Sequence, residues 1–227
     1  MRINSLGYGP RFNAQPRWDT VRFIVIHYTA NGKPWTANAA MNNCLYFNSG
    51  NVNASAHFFI DNSGVWQFAD PATWSCWHVG DGHGEFGITN QNSVGIEVVQ
   101  DGDEPFSAEE IGYLSTLVGE LMRRFGVPAS RVVRHYDASR KWCPHYYTPY
   151  GSGGDAAWNK LHALITGGGE EEDDMTSEER AMLKAVYEAV CMPHDASGRG
   201  RDSNVPDRLA WMAAKQEKIM EAVGAKK

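Results

Sequence analysis

The sequence predicts an α/β fold with one central sheet, followed by a small helical appendage. Two observations carry the fold class. Through the first 166 residues, apolar β-branched runs that read as buried strands alternate with segments of helical periodicity. The composition then breaks at TGGGEEEDDMT (166–176), where three glycines and five consecutive acids have nothing apolar to bury and read as a solvated linker.

VRFIVIHYT (21–29) is an apolar, β-branched run that reads as a buried strand ending at His27. TANAAMNNCLYFNSG (36–50) places Ala, Met, Leu and Phe at helical spacing, with Gly50 as a stop. SAHFFIDNSGVWQFA (55–69) reads as two short strands around an Asp-Asn-Ser-Gly turn. SVGIEVVQ (93–100) is a further apolar strand, interrupted by one acid, Glu97. SAEEIGYLSTLVGELMRRFG (107–126) is the plainest helix. Ser107 and Glu110 form a capping box, and Ile111, Leu114, Leu117, Val118 and Leu121 share one face. RVVRH (131–135) reads as a short strand ending at His135, and DAAWNKLHALI (155–165) as a closing helix.

These elements assign residues 1–166 to one domain and 167–175 to the linker. Residues 176–227 form a helical module, with one helix over 176–190 opened by a Thr176–Glu179 capping box and a second over 205–223 with Pro206 near its start.

Composition excludes several classes. Lys and Arg number 21 against 27 Asp and Glu, a net charge of −6, and no basic stripe suits nucleic acid. No run of about 18 apolar residues exists to insert in a membrane, and the first residues lack the apolar core of a secretory signal, so synthesis in the cytoplasm is expected. The four cysteines (44, 76, 143, 191) are widely spread without a C-x-x-C pair, which argues against a disulfide framework.

His27 and His135 each end an apolar strand and Cys143 follows His135 by eight residues; all three have donor types suited to one metal. A catalytic zinc takes three protein ligands and keeps a fourth position open, with imidazole and thiolate among its preferred donors. Any one of them alone reads equally as an ordinary hydrogen-bonded residue. Glu97, inside GIEVV, is either on a solvated face or a general base whose proton affinity is set by burial. Lys141 is either an exposed loop lysine or, if the chain is extended to Cys143, a cation beside a developing oxyanion.

Five separated segments occur in a telling order: HYT (27–29), SAHFFIDNSGVWQ (55–67), WHVG (77–80), NSVGIEVV (92–99) and HYDASRKWCP (135–144). Together they resemble the type 2 zinc-dependent N-acetylmuramoyl-L-alanine amidases, a family of phage endolysins and recycling amidases that shares its fold with peptidoglycan recognition proteins. The resemblance spans about residues 20–165 and implies a single central mixed β-sheet flanked by helices. It implies one catalytic Zn2+ on His27, His135 and Cys143, Glu97 as general base and Lys141 at the oxyanion. It further implies a substrate groove touched by Trp77, His78 and Asn92, with His57 either in that groove or packed in its strand.

The sequence departs from the pattern in two places. Ala56 stands where one phage branch has a catalytic tyrosine, and Pro144 is followed by His145, Tyr146 and Tyr147 where many relatives have glycine. Those aromatics are expected to reshape one side of the groove.

The expected partner is bacterial peptidoglycan, reached after release through a holin-type pore. A non-catalytic peptidoglycan-binding module and a cytosolic muropeptide-recycling amidase are the competing readings. The helical module is expected to serve wall binding or homo-oligomerisation, or simply to pack as a pair of helices. Asp137 fits a turn, or a residue that orients a ligand, better than a ligand itself.

Overall fold

The computed structural model describes residues 1–167; the helices expected over 176–190 and 205–223, and the linker beyond Gly167, lie outside the described residues. The strands are β1 (Ile3–Ser5), β2 (Ala14–Pro16), β3 (Phe23–Tyr28), β4 (Phe58–Asp61), β5 (Gly64–Gln67), β6 (Trp74–Cys76), β7 (Ser93–Val98) and β8 (Val132–Arg134). The α-helices are α1 (Ala39–Phe47), α2 (Ala108–Phe125), α3 (His135–Ser139) and α4 (Gly154–Gly167).

Six strands form one sheet in the order β1-β5-β4-β7-β3-β8, and β2 pairs with β6 in a separate two-stranded ribbon. The sheet is mixed. Within it only the β4–β5 hairpin is antiparallel, while β3, β4, β7 and β8 run in one direction.

Alternation along each strand divides the side chains between two faces. Ile24 and Ile26 of β3, Phe58 and Ile60 of β4, and Val94, Ile96 and Val98 of β7 enter the main core. There they meet Leu114, Leu117, Val118 and Leu121 of α2 and Trp158, Leu161 and Ile165 of α4. The opposite face is covered in two patches. Phe59 packs with Ala40 and Cys44 of α1, and Val25 packs with Val79, Ile88 and Ala138.

Helix α2 starts as its sequence dictates. Ser107 accepts from the Glu110 amide, and the Glu110 carboxylate accepts from the Ser107 amide at 3.0 Å. Gly126 ends it in the left-handed conformation, at φ 65°.

Two local expectations are corrected. His135 does not end a strand: β8 stops at Arg134 and His135 opens α3. The Asp137 carboxylate accepts from the Arg134 amide at 2.9 Å and pairs with the Arg134 guanidinium, so the chain turns into a helix there. The segment from Lys141 to Cys143 is not extended either, because the Cys143 amide donates to the Lys141 carbonyl at 2.7 Å in a tight turn. Among the described residues Cys44, Cys76 and Cys143 are free, and no helix is long and apolar enough to cross a membrane.

Candidate metal centre

The carboxyl ends of adjacent parallel strands are where open α/β sheets collect their ligands. Here β3 delivers His27 at its penultimate position, and Glu97 sits beside it at the same level of β7. Strand β8 hands the chain directly to His135. Tyr136 donates its amide to the Cys143 carbonyl at 2.9 Å, which folds the following loop back and returns Cys143 to the cluster.

His27, His135 and Cys143 are all buried, and their donor atoms lie within 4.8 Å of one another. His27 Nδ1 is 3.0 Å from His135 Nδ1 and 3.8 Å from Cys143 Sγ. Each ring is held from its far side. His135 Nε2 lies 2.9 Å from Asp81 Oδ1, and Asp81 also accepts from the Ser139 hydroxyl at 3.2 Å. His27 Nε2 lies 3.1 Å from His78 Nδ1, whose own Nε2 lies 3.1 Å from Ser93 Oγ.

A carboxylate can only accept, so His135 Nε2 carries hydrogen, and Nδ1 is the ring nitrogen turned toward the cluster. Two ring nitrogens and a sulfur converging from three buried residues, with outer partners on the rings, fit a zinc ion. Three donors are one fewer than structural zinc sites use, so an ion held by them would keep a position open for water or substrate.

The electrostatics agree with a site built for a cation. Burial drives His27 well below its ordinary value, with the neighbouring His135, His78 and Lys141 adding to the effect, so the ring is neutral. Burial pushes the Cys143 thiol well up, as does the Glu97 charge. Asp81 would be raised by burial, but His135, Lys141 and Ser139 hold it at about 2.

The Glu97 side chain is only 20% exposed and its Oε1 lies 4.0 Å from His27 Nδ1. Its Oε2 is buried without a hydrogen-bond partner, and burial pushes the carboxyl up to about 8 against the opposing pull of Lys141. Lys141 itself is exposed, yet its charge reaches His27, Asp81, Glu97 and Cys143.

The expected groove residues are placed differently. His57 is fully buried, with Nδ1 accepting from the Gly95 amide at 3.0 Å and Nε2 against the Arg17 guanidinium at 3.0 Å. Asn92 is 3% exposed and closes a turn through Thr89 and Gly87. His78 lies behind His27. None of these three lines an accessible groove, because their polar atoms are spent on protein partners. Trp77 is half-buried, its amide donating to Ser55 Oγ at 3.0 Å.

The aromatics after Pro144 also divide. Tyr147 enters the core, its hydroxyl accepting from the Phe106 amide at 3.0 Å. His145 stacks on exposed Trp142, which stacks in turn on exposed Tyr150 with centroids 4.5 Å apart. Asp81 and Ser139 went unrecognised in the sequence, since an acid in a single helical turn and a hydroxyl at the end of a five-residue helix carry no periodic signal.

Comparison with known proteins agrees with this geometry. The profile of the N-acetylmuramoyl-L-alanine amidase family, Amidase_2, matches residues 17–146. The amidase XlyB of Bacillus subtilis (strain 168) is 31% identical over 152 residues, covering 66% of this chain and 44% of that protein. The amidase CwlH of the same organism is 34% identical over 122 residues, covering 54% of this chain and 46% of CwlH. This chain thus spans less than half the length of those curated relatives. Among solved structures, the catalytic domain of XlyA superposes with a TM-score of 0.58 at 25% identity, covering 73% of this chain and 99% of that one. A mutant endolysin from Bacillus subtilis superposes with a TM-score of 0.57, also at 25% identity, covering 72% and 98%. With the profile matched from Arg17 to Tyr146, across β3, β7 and the segment that carries His135 and Cys143, the chain belongs to the N-acetylmuramoyl-L-alanine amidase family.

Proposed function

We propose that the chain is a peptidoglycan hydrolase of the endolysin type, cleaving the amide between N-acetylmuramic acid and the L-alanine of the stem peptide. The observation that carries this reading is the convergence of His27 Nδ1, His135 Nδ1 and Cys143 Sγ within 4.8 Å, next to a carboxylate with an unpartnered oxygen. Those three residues would hold one zinc ion, which when bound supplies the Lewis acidity that polarises a carbonyl and acidifies water.

Glu97 takes the proton of the attacking water and passes it to the leaving amine. Burial strengthens its hold on a proton relative to a free carboxyl, and its unpartnered Oε2 is free to receive one. Lys141 sets an ammonium beside the oxygen that gains charge, a kind of contact worth about 3–4 kcal/mol in the transition state. The filled set of three donors, base and cation supports catalysis over a binding-only module.

The substrate lies outside the membrane, so the reading includes passage through a separate holin-type pore. It also assigns residues 167–175 to a linker and 176–227 to a module for wall attachment or self-association. Deleting 176–227 separates these roles: loss of wall sedimentation marks the first, and a smaller oligomer the second.

Mass spectrometry of peptidoglycan digested with the purified chain tests the activity. Free stem peptides released from intact glycan are expected. Reducing sugar ends or cross-bridge fragments in their place would overturn it.

A further inference from the structure

We propose that His78 and Ser93 are positioning residues that fix the tautomer of His27, so that its Nδ1 presents a lone pair to the ligand cluster. This rests on the proposed role of His27 as a ligand, and it deepens that role. The argument is an accounting of hydrogens along one buried chain, from Thr89 through Ser93 and His78 to His27.

Ser93 Oγ lies 2.5 Å from the Thr89 carbonyl oxygen. A carbonyl only accepts, so the single hydroxyl hydrogen of Ser93 is committed there. Toward His78 Nε2, 3.1 Å away, Ser93 can then only accept, and Nε2 of His78 must carry the hydrogen. A neutral imidazole has one N–H, which leaves Nδ1 of His78 as an acceptor. Its partner at 3.1 Å is His27 Nε2, which therefore donates. The His27 hydrogen is thus held on the far side of the ring, and the bare Nδ1 faces His135 and Cys143.

Three further features hold this chain in place. His78 is 7% exposed and Ser93 is fully buried, so water does not compete for either. The His78 ring lies against the backbone of β7 at Gly95, where an added Cβ would come within 2.6 Å of the ring's Cγ. Glycine at that position gives the ring its seat. The His78 and Val79 amides both donate to Asn90 Oδ1 at 2.9 Å, which fixes the main chain from which the ring projects. The two histidines of the cluster are consequently oriented by different means: His135 by a carboxylate, and His27 by a neutral relay anchored on a main-chain carbonyl.

The test uses the full chain and two readouts, neither of which is activity. The first is the imidazole nitrogen spectrum of the metal-free protein, which distinguishes the two neutral tautomers. The second is zinc affinity, measured by competition with a chromophoric chelator. Wild type should show His27 in a single Nε2–H tautomer. His78→Phe, which keeps a ring but removes both nitrogens, should give a mixed population and about 10–100-fold weaker zinc binding. His78→Gln retains one acceptor and one donor and should recover most of the affinity. Ser93→Ala, with little change in volume, should shift the His27 tautomer in the same direction as His78→Phe, and it serves where that variant fails to fold. A single Nε2–H tautomer retained at His27 in Ser93→Ala, or zinc binding in His78→Gln no better than in His78→Phe, would overturn the proposal. A wild-type chain that keeps the tautomer but releases no stem peptides would count against the amidase reading alone.

Discussion

His27 and Glu97 stand opposite one another in register on neighbouring parallel strands, with Nδ1 and Oε1 4.0 Å apart. Partners in a parallel pair project to the same face, so the strand pairing itself sets these two side chains side by side. Replacing the carboxylate by its amide, Glu97→Gln, keeps shape and removes the proton acceptor. Stem-peptide release should fall by about 10²–10⁴-fold with zinc content unchanged, measured by chromatography and elemental analysis. A rate close to wild type would take Glu97 out of the proton path.

Metal dependence follows from the donor set. Dialysis against a strong chelator should abolish hydrolysis, and stoichiometric zinc should restore it. His135→Ala should lose bound zinc outright, because two remaining donors make an incomplete site. Full zinc occupancy in that variant would refute the ligand assignment.

Glu110 carries a pH dependence that has nothing to do with the cluster. It is fully buried at the start of α2 with Oε1 unpartnered, and burial raises its carboxyl to about 7. A group whose folded pKa is raised contributes stability below its unfolded value, about 4.3, and that contribution is lost as pH rises through about 7. Glu110's own contribution therefore falls between about pH 4.3 and 7, opposite in sign to that of the buried neutral histidines His27, His57 and His78, and it is read as the difference between wild type and a Glu110 variant. Glu110→Gln, which can still cap the helix, should remove this fall and raise the melting temperature at pH 8. Parallel melting curves for the two proteins across that range would rule out the assignment.

Arg17 ties the N-terminal arm to the body of the domain. Its guanidinium donates to the Pro71, Gln91 and Ser93 carbonyls and meets His57 Nε2. Arg17→Ala leaves those buried acceptors unmatched and should cost about 3 kcal/mol in denaturant unfolding. A loss under about 0.5 kcal/mol would mean that water replaces the guanidinium without penalty.

What the sequence disclosed follows from how local each signal is. β3, β7 and the β4–β5 hairpin announce themselves through apolar runs and a turn, and α2 through its own cap. β1, β2 and β6 are three residues each, too short for alternation to register. Their pairing is set by distant partners, as in Ile3 against Val65. His27 and Glu97 were legible because polar groups at or near the ends of apolar strands need a reason, and Cys143 because it lies eight residues after His135 with a donor suited to the same metal. His78 and Asn92 were read as groove residues, and His57 was left between groove and strand packing, because a polar side chain in a motif looks accessible until its partners are known. The His57 and His78 partners Arg17, Gly95 and Ser93 lie 15 to 40 residues away in the chain.

The ligand cluster draws on both ends of the domain, since His135 and Cys143 lie 108 and 116 residues after His27. During synthesis His27 leaves the ribosome early and waits for nearly the whole domain to follow. A nascent chain that stops short of Cys143 has no complete donor set, however well its early strands have paired. The cluster is thus completed late, with only the segment that leads into α4 and α4 itself still to follow, and a chain cut before Cys143 lacks one of its three donors.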